Sequence, residues 1–254
     1  IKRMCDYDLT LGSQIRIMPD VHAGKGCVIG FTADLGKKVI PNIVGVDIGC
    51  GMLCVSLGQA DIDFEKLDNV IRSYIPSGRA VHEGRIVKFE KLHELKCYRE
   101  LRDTKRIERS IGTLGGGNHF IEVDVAEDGY KYLVIHTGSR NLGKQVADYY
   151  QNLAFELMSG KDKLYEEQDR LIAEYKASGR KSEIQSAIAE LHRNFKAVNP
   201  KIPKDLCYLE GKYRDDYLHD MRICQKFAYR NRVMIAQIIC NHMGWGVNED
   251  MPDY

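Results

Sequence analysis

The chain has 254 residues, of which 44% are hydrophobic and 29% are charged, and its formal net charge at pH 7 is +1. This composition allows a buried core and excludes a disordered or collagen-like chain, and no apolar run approaches the roughly 18 residues of a transmembrane helix. The balanced charge means that any nucleic-acid site must be a local basic patch. Because no signal-peptide pattern opens the chain, we expect a cytoplasmic protein.

The eight cysteines are widely scattered, and none of them forms a C-x-x-C pair. We therefore expect neither a disulfide framework nor a zinc knuckle, and most of these thiols suit a core. They are Cys5, Cys27, Cys50, Cys54, Cys97, Cys207, Cys224 and Cys240.

Short apolar runs punctuated by Gly, Pro and Asp predict strands in the first 60 residues. These runs are SQIRIMPD, GCVIGFTADL, KKVIPNIVGVDIG and MLCVSL. Residues 61–74 then have the spacing of an amphipathic helix. Its apolar stripe comprises Phe64, Leu67, Val70 and Ile71.

A basic stretch follows at residues 85–109, with nine Lys or Arg against five Asp or Glu. We predict that it is helical, either as a solvated amphipathic helix or as a contact for an RNA backbone. The segment HRNFKAVNPKIPK adds four basic residues and no acidic one. Neither stretch indicates recognition of a base sequence.

In the second half of the chain, LGGGNHFIEVDV predicts a glycine turn that leads into a strand. YKYLVIHTGSRNLGKQVADYY predicts strand, turn and helix, with N-cap residues in the Ser-Arg-Asn turn. Lys161–Lys196 is polar, with two apolar stripes around a Ser-Gly-Arg break, and predicts an inserted helical hairpin. A long helix is expected from about Leu206 to Met243.

Four segments place a metal-competent residue where a strand gives way to a glycine turn. Such positions let side chains converge while the backbone approaches a ligand closely. The segments are MPDVHAGKG with Asp20 and His22, VDIGCGM with Asp47 and Cys50, GGGNHFIEV with Asn118, His119 and Glu122, and VIHTGSRNLG with His136.

Each of these residues also has an ordinary structural interpretation. A single His136 on a strand is commonly structural, Asp20 suits an Asx turn, and Cys50 alone suits a core. Their joint occurrence favours a metal site, and thiolate with imidazole favours Mn, Fe, Co or Zn over Mg or Ca. Asp47 and Cys50 in one turn could serve two ions through a bridging thiolate. The HTGSRNLG turn, with Arg140, would suit a phosphate.

The chain resembles the RtcB family of GTP-dependent RNA ligases in several ordered segments. They are MPDVHAGKGCVIG, VIPNIVGVDIGCGM, GTLGGGNHFIEV, HTGSRNLG and DDYLHDMRICQKFAYRNR. The resemblance covers nearly the whole chain except the hairpin at 161–196. It implies an α+β fold of the RtcB type, with a core of mixed sheets, peripheral helices and the inserted hairpin.

The resemblance also implies ligands and the residues that bind them. Two Mn²⁺ ions would be bound by Asp47, Cys50, His119 and His136, with Cys50 shared between the ions. GTP would be bound by Asn118, His119, Phe120, Ile121 and Glu122. Contacts to phosphate or RNA are assigned to Asp20, His22, Lys25 and Arg140.

The family reaction joins an RNA 3′-phosphate end to a 5′-hydroxyl end through a guanylylated histidine, and a 2′,3′-cyclic phosphate is first opened. We expect that histidine C-terminal to Tyr254, so no residue of this chain is given the nucleophile's role. Residues 1–254 would then be the N-terminal and central part of the catalytic domain. The particular RNA substrate, the oligomeric state and any helper protein stay open.

Two alternatives remain. One is a metallophosphoesterase that hydrolyses phosphate esters with the same ions and no nucleotide. The other is a non-catalytic RNA-binding or repair-associated module whose ligase chemistry has decayed. Covalent guanylylation distinguishes the ligase from the phosphoesterase, and the intact set of Asp47, Cys50, His119 and His136 argues against decay in this part of the chain.

Overall fold

The computed structural model describes residues 1–59 and 61–246, which form the α+β fold that the sequence predicts. The chain divides into two compact units. The first unit comprises Ile1–Val44 and Tyr149–Arg214, and the second comprises Gly45–Asp148 and the chain from Asp215 onward.

The elements are numbered in chain order within the described residues. The strands are β1 (Ile15–His22), β2 (Ile29–Ala33), β3 (Lys38–Val39), β4 (Gly51–Gly58), β5 (Phe120–Val125), β6 (Lys131–Thr137) and β7 (Leu209–Glu210). The α-helices are α1 (Lys2–Cys5), α2 (Pro41–Val44), α3 (Phe64–Tyr74), α4 (Thr104–Glu108), α5 (Arg140–Glu156), α6 (Asp162–Ala177), α7 (Ile184–Asn194) and α8 (Gly211–Met243).

The first unit contains two small antiparallel sheets, β1 with β2 and β3 with β7. The strand predicted in KKVIPNIVGVDIG occupies only the beginning of that run, because it ends at Val39 and α2 begins at Pro41. Proline suits the first position of a helix, where its fixed φ is favourable and no N–H is needed. The core of this unit contains Met4, Cys27, Phe31, Ile40 and Leu206.

Residues 161–196 contain α6 and α7, which pack against each other. His192 Nε2 and Gln168 Oε1, one from each helix, lie 2.7 Å apart in a hydrogen bond. A π-helical turn at Leu157–Lys161 joins α5 to α6, and Gly160 adopts a φ of 90° there. Glycine suits this turn because a side chain would strain that backbone conformation.

The second unit is built on an antiparallel sheet in the order β4-β6-β5. On the central strand, Leu133 and Ile135 are completely buried. His136 lies on the opposite face, in register with Met52 of β4 and Phe120 of β5. Side chains of a strand alternate between the two faces of the sheet. One face therefore packs in the hydrophobic core, and His136 lies on the other face.

Helices α3 and α8 cover the core face of this sheet. Asp63 caps α3 by accepting a hydrogen bond from the Lys66 backbone N–H at 2.9 Å, as expected for an N-cap aspartate. Leu67 and Val70 are buried as predicted, whereas Phe64 is 59% exposed and lies outside the core. The buried core residues of this unit are Leu67, Val70, Ile75, Leu133, Ile135, Ile235, Ala236, Ile239, Cys240 and Met243.

The prediction of a helix at residues 85–109 is wrong. This stretch forms 3-10 turns at Glu90–Glu94 and Tyr98–Glu100, followed by the short α4. The carboxylate of Asp220 on α8 accepts hydrogen bonds from the backbone N–H groups of Lys96 and Cys97, at 2.8 and 3.0 Å. These tertiary contacts fix an irregular path that the local charge pattern does not reveal.

Within the part of the chain that the structure describes, every helix is too short or too polar to span a lipid bilayer.

The buried central strand gives a stability prediction. Leu133→Ala should lower the free energy of unfolding by about 2–5 kcal/mol, because a fully buried leucine leaves a cavity when truncated. Val125→Ala on β5 is the control, since Val125 is 62% exposed, and it should change stability by no more than about 0.5 kcal/mol. Denaturant titration of both variants tests this, and an equal loss in the two would contradict the assigned core.

Candidate metal centre

The turn between α2 and β4 carries Asp47 and Cys50. The Cys50 backbone N–H donates to the Asp47 carbonyl at 3.1 Å, which closes the turn. Gly49 adopts a φ of 80°, and a Cβ there would lie 2.8 Å from the Gln225 Cα on α8. Only glycine therefore allows this turn to pack against the helix without displacement.

Two histidines reach this turn, His119 from the loop directly before β5 and His136 from β6. His119 Nε2 lies 2.8 Å from Asp47 Oδ2 and 3.8 Å from Cys50 Sγ. His136 Nε2 lies 3.3 Å from Cys50 Sγ. Suitable donor atoms of Asp47, Cys50 and His119 all lie within 4.8 Å of one another. We call Asp47, Cys50, His119 and His136 the ligand cluster.

The ring orientations of the two histidines are fixed differently. His119 Nδ1 lies 3.0 Å from the Leu114 carbonyl, which also accepts a hydrogen bond from Thr137 Oγ1 at 2.8 Å. Occupation of Nδ1 by a carbonyl leaves Nε2 as the ligand atom, which is the usual arrangement for a metal-binding histidine. His136 instead stacks on Phe120, with ring centroids 5.2 Å apart and an interplanar angle of 15°.

Burial and mutual contacts shift the pKa values inside the ligand cluster. Burial raises the pKa of Asp47, but hydrogen bonds from His119 and Cys50 outweigh it and hold the pKa below its usual value. Burial and the Asp47 carboxylate raise the pKa of Cys50 to about 11. Burial and the neighbouring His119 lower the pKa of His136, which favours its neutral form. A cation bound to the ligand cluster would replace the protons that Asp47, Cys50 and His119 share in hydrogen bonds.

The donor set fits a transition-metal ion. It combines a carboxylate oxygen, a thiol sulfur and an imidazole nitrogen within 4.8 Å of one another, and a second imidazole nitrogen, from His136, lies 3.3 Å from the sulfur. Mixed sulfur, nitrogen and oxygen donors suit borderline ions such as Mn²⁺, Fe²⁺, Co²⁺ and Zn²⁺, whereas Mg²⁺ and Ca²⁺ prefer oxygen alone. The fixed Nδ1 of His119 adds the outer hydrogen bond that such sites usually contain.

Gly138 directly follows β6 and lies against Asp47. A Cβ at this position would overlap the Asp47 carboxylate. The absence of a side chain therefore lets the carboxylate occupy its place beside His119. This glycine belongs to the HTGSRNLG segment, and its packing against Asp47 gives the segment a second role besides helix initiation.

Arg140 lies at the edge of a basic cavity of about 410 Å³. Its Nε donates to Thr113 Oγ1 at 3.0 Å and its Nη2 to the Gly78 carbonyl at 2.9 Å. Its positive charge is among the groups that lower the pKa of Asp47. The cavity is lined by Gly78, Arg79, Val81, Arg106, Ser110, Arg140, Asn141 and Lys144. The lining therefore contains four cations and no carboxylate.

The remaining predicted contacts for phosphate or RNA belong to the first unit. Asp20 and His22 are exposed on β1, where His22 Nδ1 lies 2.7 Å from the Asp20 carbonyl. Lys25 forms an ion pair with Asp205 at 3.2 Å. Within that unit, these three residues therefore form local contacts, His22 with the Asp20 backbone and Lys25 with Asp205.

In the segment predicted to bind GTP, residues 118–122, the side chains do not all lie on the same face of the sheet. Asn118 and Glu122 are exposed, and Phe120 shares the sheet face of His136. Ile121 packs against the hydrophobic core, so its side chain supports the segment from behind.

Sequence reasoning missed the polar residues that surround the ligand cluster. Asn231 and Arg232 on α8 are 0% and 8% exposed, and both bind the backbone of ligand-bearing segments. Thr137, which bonds to the Leu114 carbonyl, was missed as well. The available signal was a pair of polar residues, Asn231 and Arg232, directly before the apolar run VMIAQII.

Comparison with known proteins identifies one family. A family model described as tRNA-splicing ligase RtcB matches residues 9–100 and 88–252. The match includes the whole ligand cluster and all residues lining the basic cavity.

Curated relatives carry the same description. RNA-splicing ligase RtcB of Escherichia coli K12 is 30% identical over 244 residues, which cover 86% of this chain and 50% of the relative. RNA-splicing ligase RtcB1 of a second E. coli strain is 31% identical with the same coverage. tRNA-splicing ligase RtcB of Archaeoglobus fulgidus is 32% identical over 184 residues, which cover 51% of this chain and 38% of the relative. The chain thus spans about half the length of the E. coli relatives.

The contact between Gly138 and Asp47 gives a prediction for metal binding. Gly138→Ala should weaken Co²⁺ binding by about 10-fold or more, because the new methyl group displaces a ligand carboxylate. Gly84→Ala is the control, since a Cβ at Gly84 meets no atom within 4 Å. Isothermal titration of both folded variants measures the effect. Unchanged affinity in Gly138→Ala would remove Asp47 from the ligand cluster.

Proposed function

Since the chain belongs to the RtcB family of tRNA-splicing ligases, we propose that it acts as a GTP- and Mn²⁺-dependent RNA ligase. The reaction joins an RNA 3′-phosphate or 2′,3′-cyclic phosphate end to a 5′-hydroxyl end. The observation that carries this proposal is the convergence of Asp47, Cys50 and His119 within 4.8 Å, with His136 beside Cys50. We also propose a cytoplasmic location for this reaction.

In this proposal Asp47, Cys50, His119 and His136 would hold two Mn²⁺ ions, and Cys50 would be a ligand of both. Cys50 suits the shared position because its sulfur lies between the two imidazoles, at 3.3 and 3.8 Å from their Nε2 atoms. When bound, the ions would neutralise phosphate oxygens, which is the main requirement of phosphoryl and nucleotidyl transfer. Asp47 and His119 would supply a carboxylate oxygen and an imidazole nitrogen near Cys50, and His136 would supply a second imidazole nitrogen.

The GTP site lies, in this proposal, along the Asn118–Glu122 segment. Asn118 offers an exposed amide, Glu122 an exposed carboxylate, and Phe120 an aromatic ring next to His136. His119 joins this segment to the ligand cluster, so a nucleotide bound here would bring its phosphates to the ions. The guanylylated histidine is assigned to no residue of this chain.

The basic cavity would bind RNA phosphates. Arg79, Arg106, Arg140 and Lys144 provide its cations, and α5 begins at its edge. Guanidinium groups bind phosphate through paired hydrogen bonds, and a helix N-terminus adds backbone donors. We propose Asp20, His22 and Lys25 of the first unit as further contacts to RNA or phosphate.

The helical hairpin at 161–196 is, in this proposal, an insertion outside the catalytic core. Its two helices belong to the first unit, whereas every member of the ligand cluster belongs to the second. Its polar surface allows an auxiliary contact with RNA but supplies no candidate ligand. The rest of the chain then represents the N-terminal and central part of the catalytic domain.

The ligase proposal is tested by a pair of cysteine variants of the natural full-length protein. Cys50→Ser should lower ligation of a 3′-phosphate RNA to a 5′-hydroxyl RNA by more than about 100-fold, because a hydroxyl stays protonated and cannot replace a thiolate ligand. Cys54→Ser is the control, since Cys54 on β4 is exposed, as Cys50 is, but lies outside the ligand cluster. Ligation with GTP and Mn²⁺ and covalent guanylylation are measured together.

Normal ligation by Cys50→Ser would refute the role of the shared thiolate. Hydrolysis of the RNA phosphate by the wild type without GTP, and without guanylylation, would favour the phosphoesterase instead. Absence of both reactions with retained RNA binding would favour a non-catalytic module.

The basic cavity gives a separate prediction for RNA affinity. Arg106→Ala should weaken RNA binding by about 3- to 10-fold and reduce the salt dependence of binding by about one phosphate contact. Arg72→Ala is the control, because Arg72 is exposed on α3 and pairs with Asp68. Fluorescence anisotropy at several salt concentrations measures both quantities. Equal salt slopes for Arg106→Ala and wild type would place the RNA elsewhere.

A further inference from the structure

Two adjacent polar residues of α8, Asn231 and Arg232, are buried next to side chains of the hydrophobic core. Asn231 is 0% exposed and Arg232 is 8% exposed, and the following Ile235 and Ala236 pack in the core of the second unit. A buried amide and a buried guanidinium are costly unless hydrogen bonds satisfy them. Their bonding partners therefore indicate what they do.

Asn231 ties together two backbone segments. Its Oδ1 accepts hydrogen bonds from the N–H groups of Gly112 and Thr113, at 2.8 and 3.1 Å. Its Nδ2 donates to the carbonyls of Thr113 and Gly138, at 3.1 and 3.3 Å. The amide uses both its acceptor and its donor groups, which fixes its orientation. It joins the start of the loop that leads to His119 to the glycine that lies against the Asp47 carboxylate.

Arg232 ties together two other points. Its Nη1 donates to the Gly49 carbonyl at 2.9 Å and to the Thr137 carbonyl at 2.7 Å. Gly49 lies inside the turn that carries two of the cluster residues, and Thr137 directly follows His136. A single guanidinium thus connects the turn to the end of the central strand.

Leu114 extends these contacts to the remaining histidine. It follows Thr113, which Asn231 holds, and its carbonyl accepts from Thr137 Oγ1 at 2.8 Å. The same carbonyl fixes His119 Nδ1 at 3.0 Å. Every backbone segment that bears a member of the ligand cluster is therefore bonded to α8 directly or through one neighbour.

We propose that Asn231 and Arg232 are positioning residues that hold the ligand cluster at metal-binding distance before an ion binds. This inference rests on the proposed metal-binding function. Pre-positioned ligands favour binding because no conformational entropy has to be lost when the ion arrives. Neither residue needs to touch the ion, since both act through backbone carbonyl and N–H groups.

The inference differs from a general contribution to stability, and the chain offers a matched control. Asp220 lies on the same helix, is 0% exposed, and accepts hydrogen bonds from the backbone N–H groups of Lys96 and Cys97. That loop carries no member of the ligand cluster. A variant of Asp220 should therefore lower thermal stability without changing the metal centre.

The experiment compares Arg232→Met, Arg232→Lys, Asn231→Asp and Asp220→Asn with the wild-type protein. Circular dichroism and thermal unfolding establish that each variant is folded. Calorimetric titration with Mn²⁺ gives the affinity, and the visible spectrum of the Co²⁺-loaded protein reports the geometry of thiolate and imidazole ligands.

We expect Arg232→Met and Asn231→Asp to weaken Mn²⁺ binding by about 10-fold or more and to alter the Co²⁺ spectrum, as removal of supporting hydrogen bonds does at other metal sites. Arg232→Lys keeps the charge, but its side chain ends one bond shorter, so it should recover only part of the affinity. Asp220→Asn should lower the melting temperature while affinity and spectrum stay as in the wild type. If Arg232→Met does not fold, Arg232→Lys and Asn231→Asp decide the question.

Wild-type affinity and spectrum in the folded Asn231 and Arg232 variants would overturn the inference and leave the metal centre intact. An equal loss in Asp220→Asn would also overturn it, because the effect would then follow general stability. Complete recovery in Arg232→Lys would show that charge and not position is the contribution of Arg232. A wild-type protein that binds neither ion would overturn the proposed metal centre itself, and this inference with it.

Discussion

The ligand cluster depends on the contact between Asp47 and His119, whose Oδ2 and Nε2 atoms lie 2.8 Å apart. A partly buried carboxylate is costly unless hydrogen bonds or an opposite charge compensate for lost water. Here His119 and Cys50 both bond to it, and His119 is itself held by the Leu114 carbonyl. A side chain at position 138 would displace the Asp47 carboxylate, and this position is a glycine.

The strands, the glycines and helix α8 each position a different part of the site. The antiparallel strands determine the face of the sheet on which each side chain lies. On β6, alternation places His136 on the face opposite to that of the core residue Ile135. Glycines allow close approach, as Gly49 does where the turn meets α8. Helix α8 supplies buried polar groups that bind carbonyls and N–H groups of the surrounding loops. Helix α8 thus packs against the sheet through its apolar side chains and holds the loops of the site through its buried polar side chains.

Much of this could be predicted from local patterns in the sequence. Strands β4, β5 and β6 and helices α3, α5 and α8 follow from apolar periodicity and glycine turns, and the convergence of Asp47 and Cys50 with the histidines follows from their strand-end positions. The remainder depends on tertiary contacts. In residues 85–109, Asp220 on α8 binds the backbone N–H groups of Lys96 and Cys97, a contact that the local charge pattern does not reveal. The roles of Asn231 and Arg232 were invisible because their partners lie roughly 90 to 180 residues earlier.

In the proposed function, the ligand cluster would bind Mn²⁺ through a thiolate as well as through nitrogen and oxygen. X-ray absorption at the manganese edge of the Mn²⁺-loaded protein tests it most directly, because sulfur is distinguished from lighter ligand atoms by its stronger backscattering and longer bond. The account predicts a sulfur ligand together with imidazole scattering, and predicts that the sulfur signal disappears in Cys50→Ser. A shell of oxygen ligands alone in the wild-type protein would contradict the account.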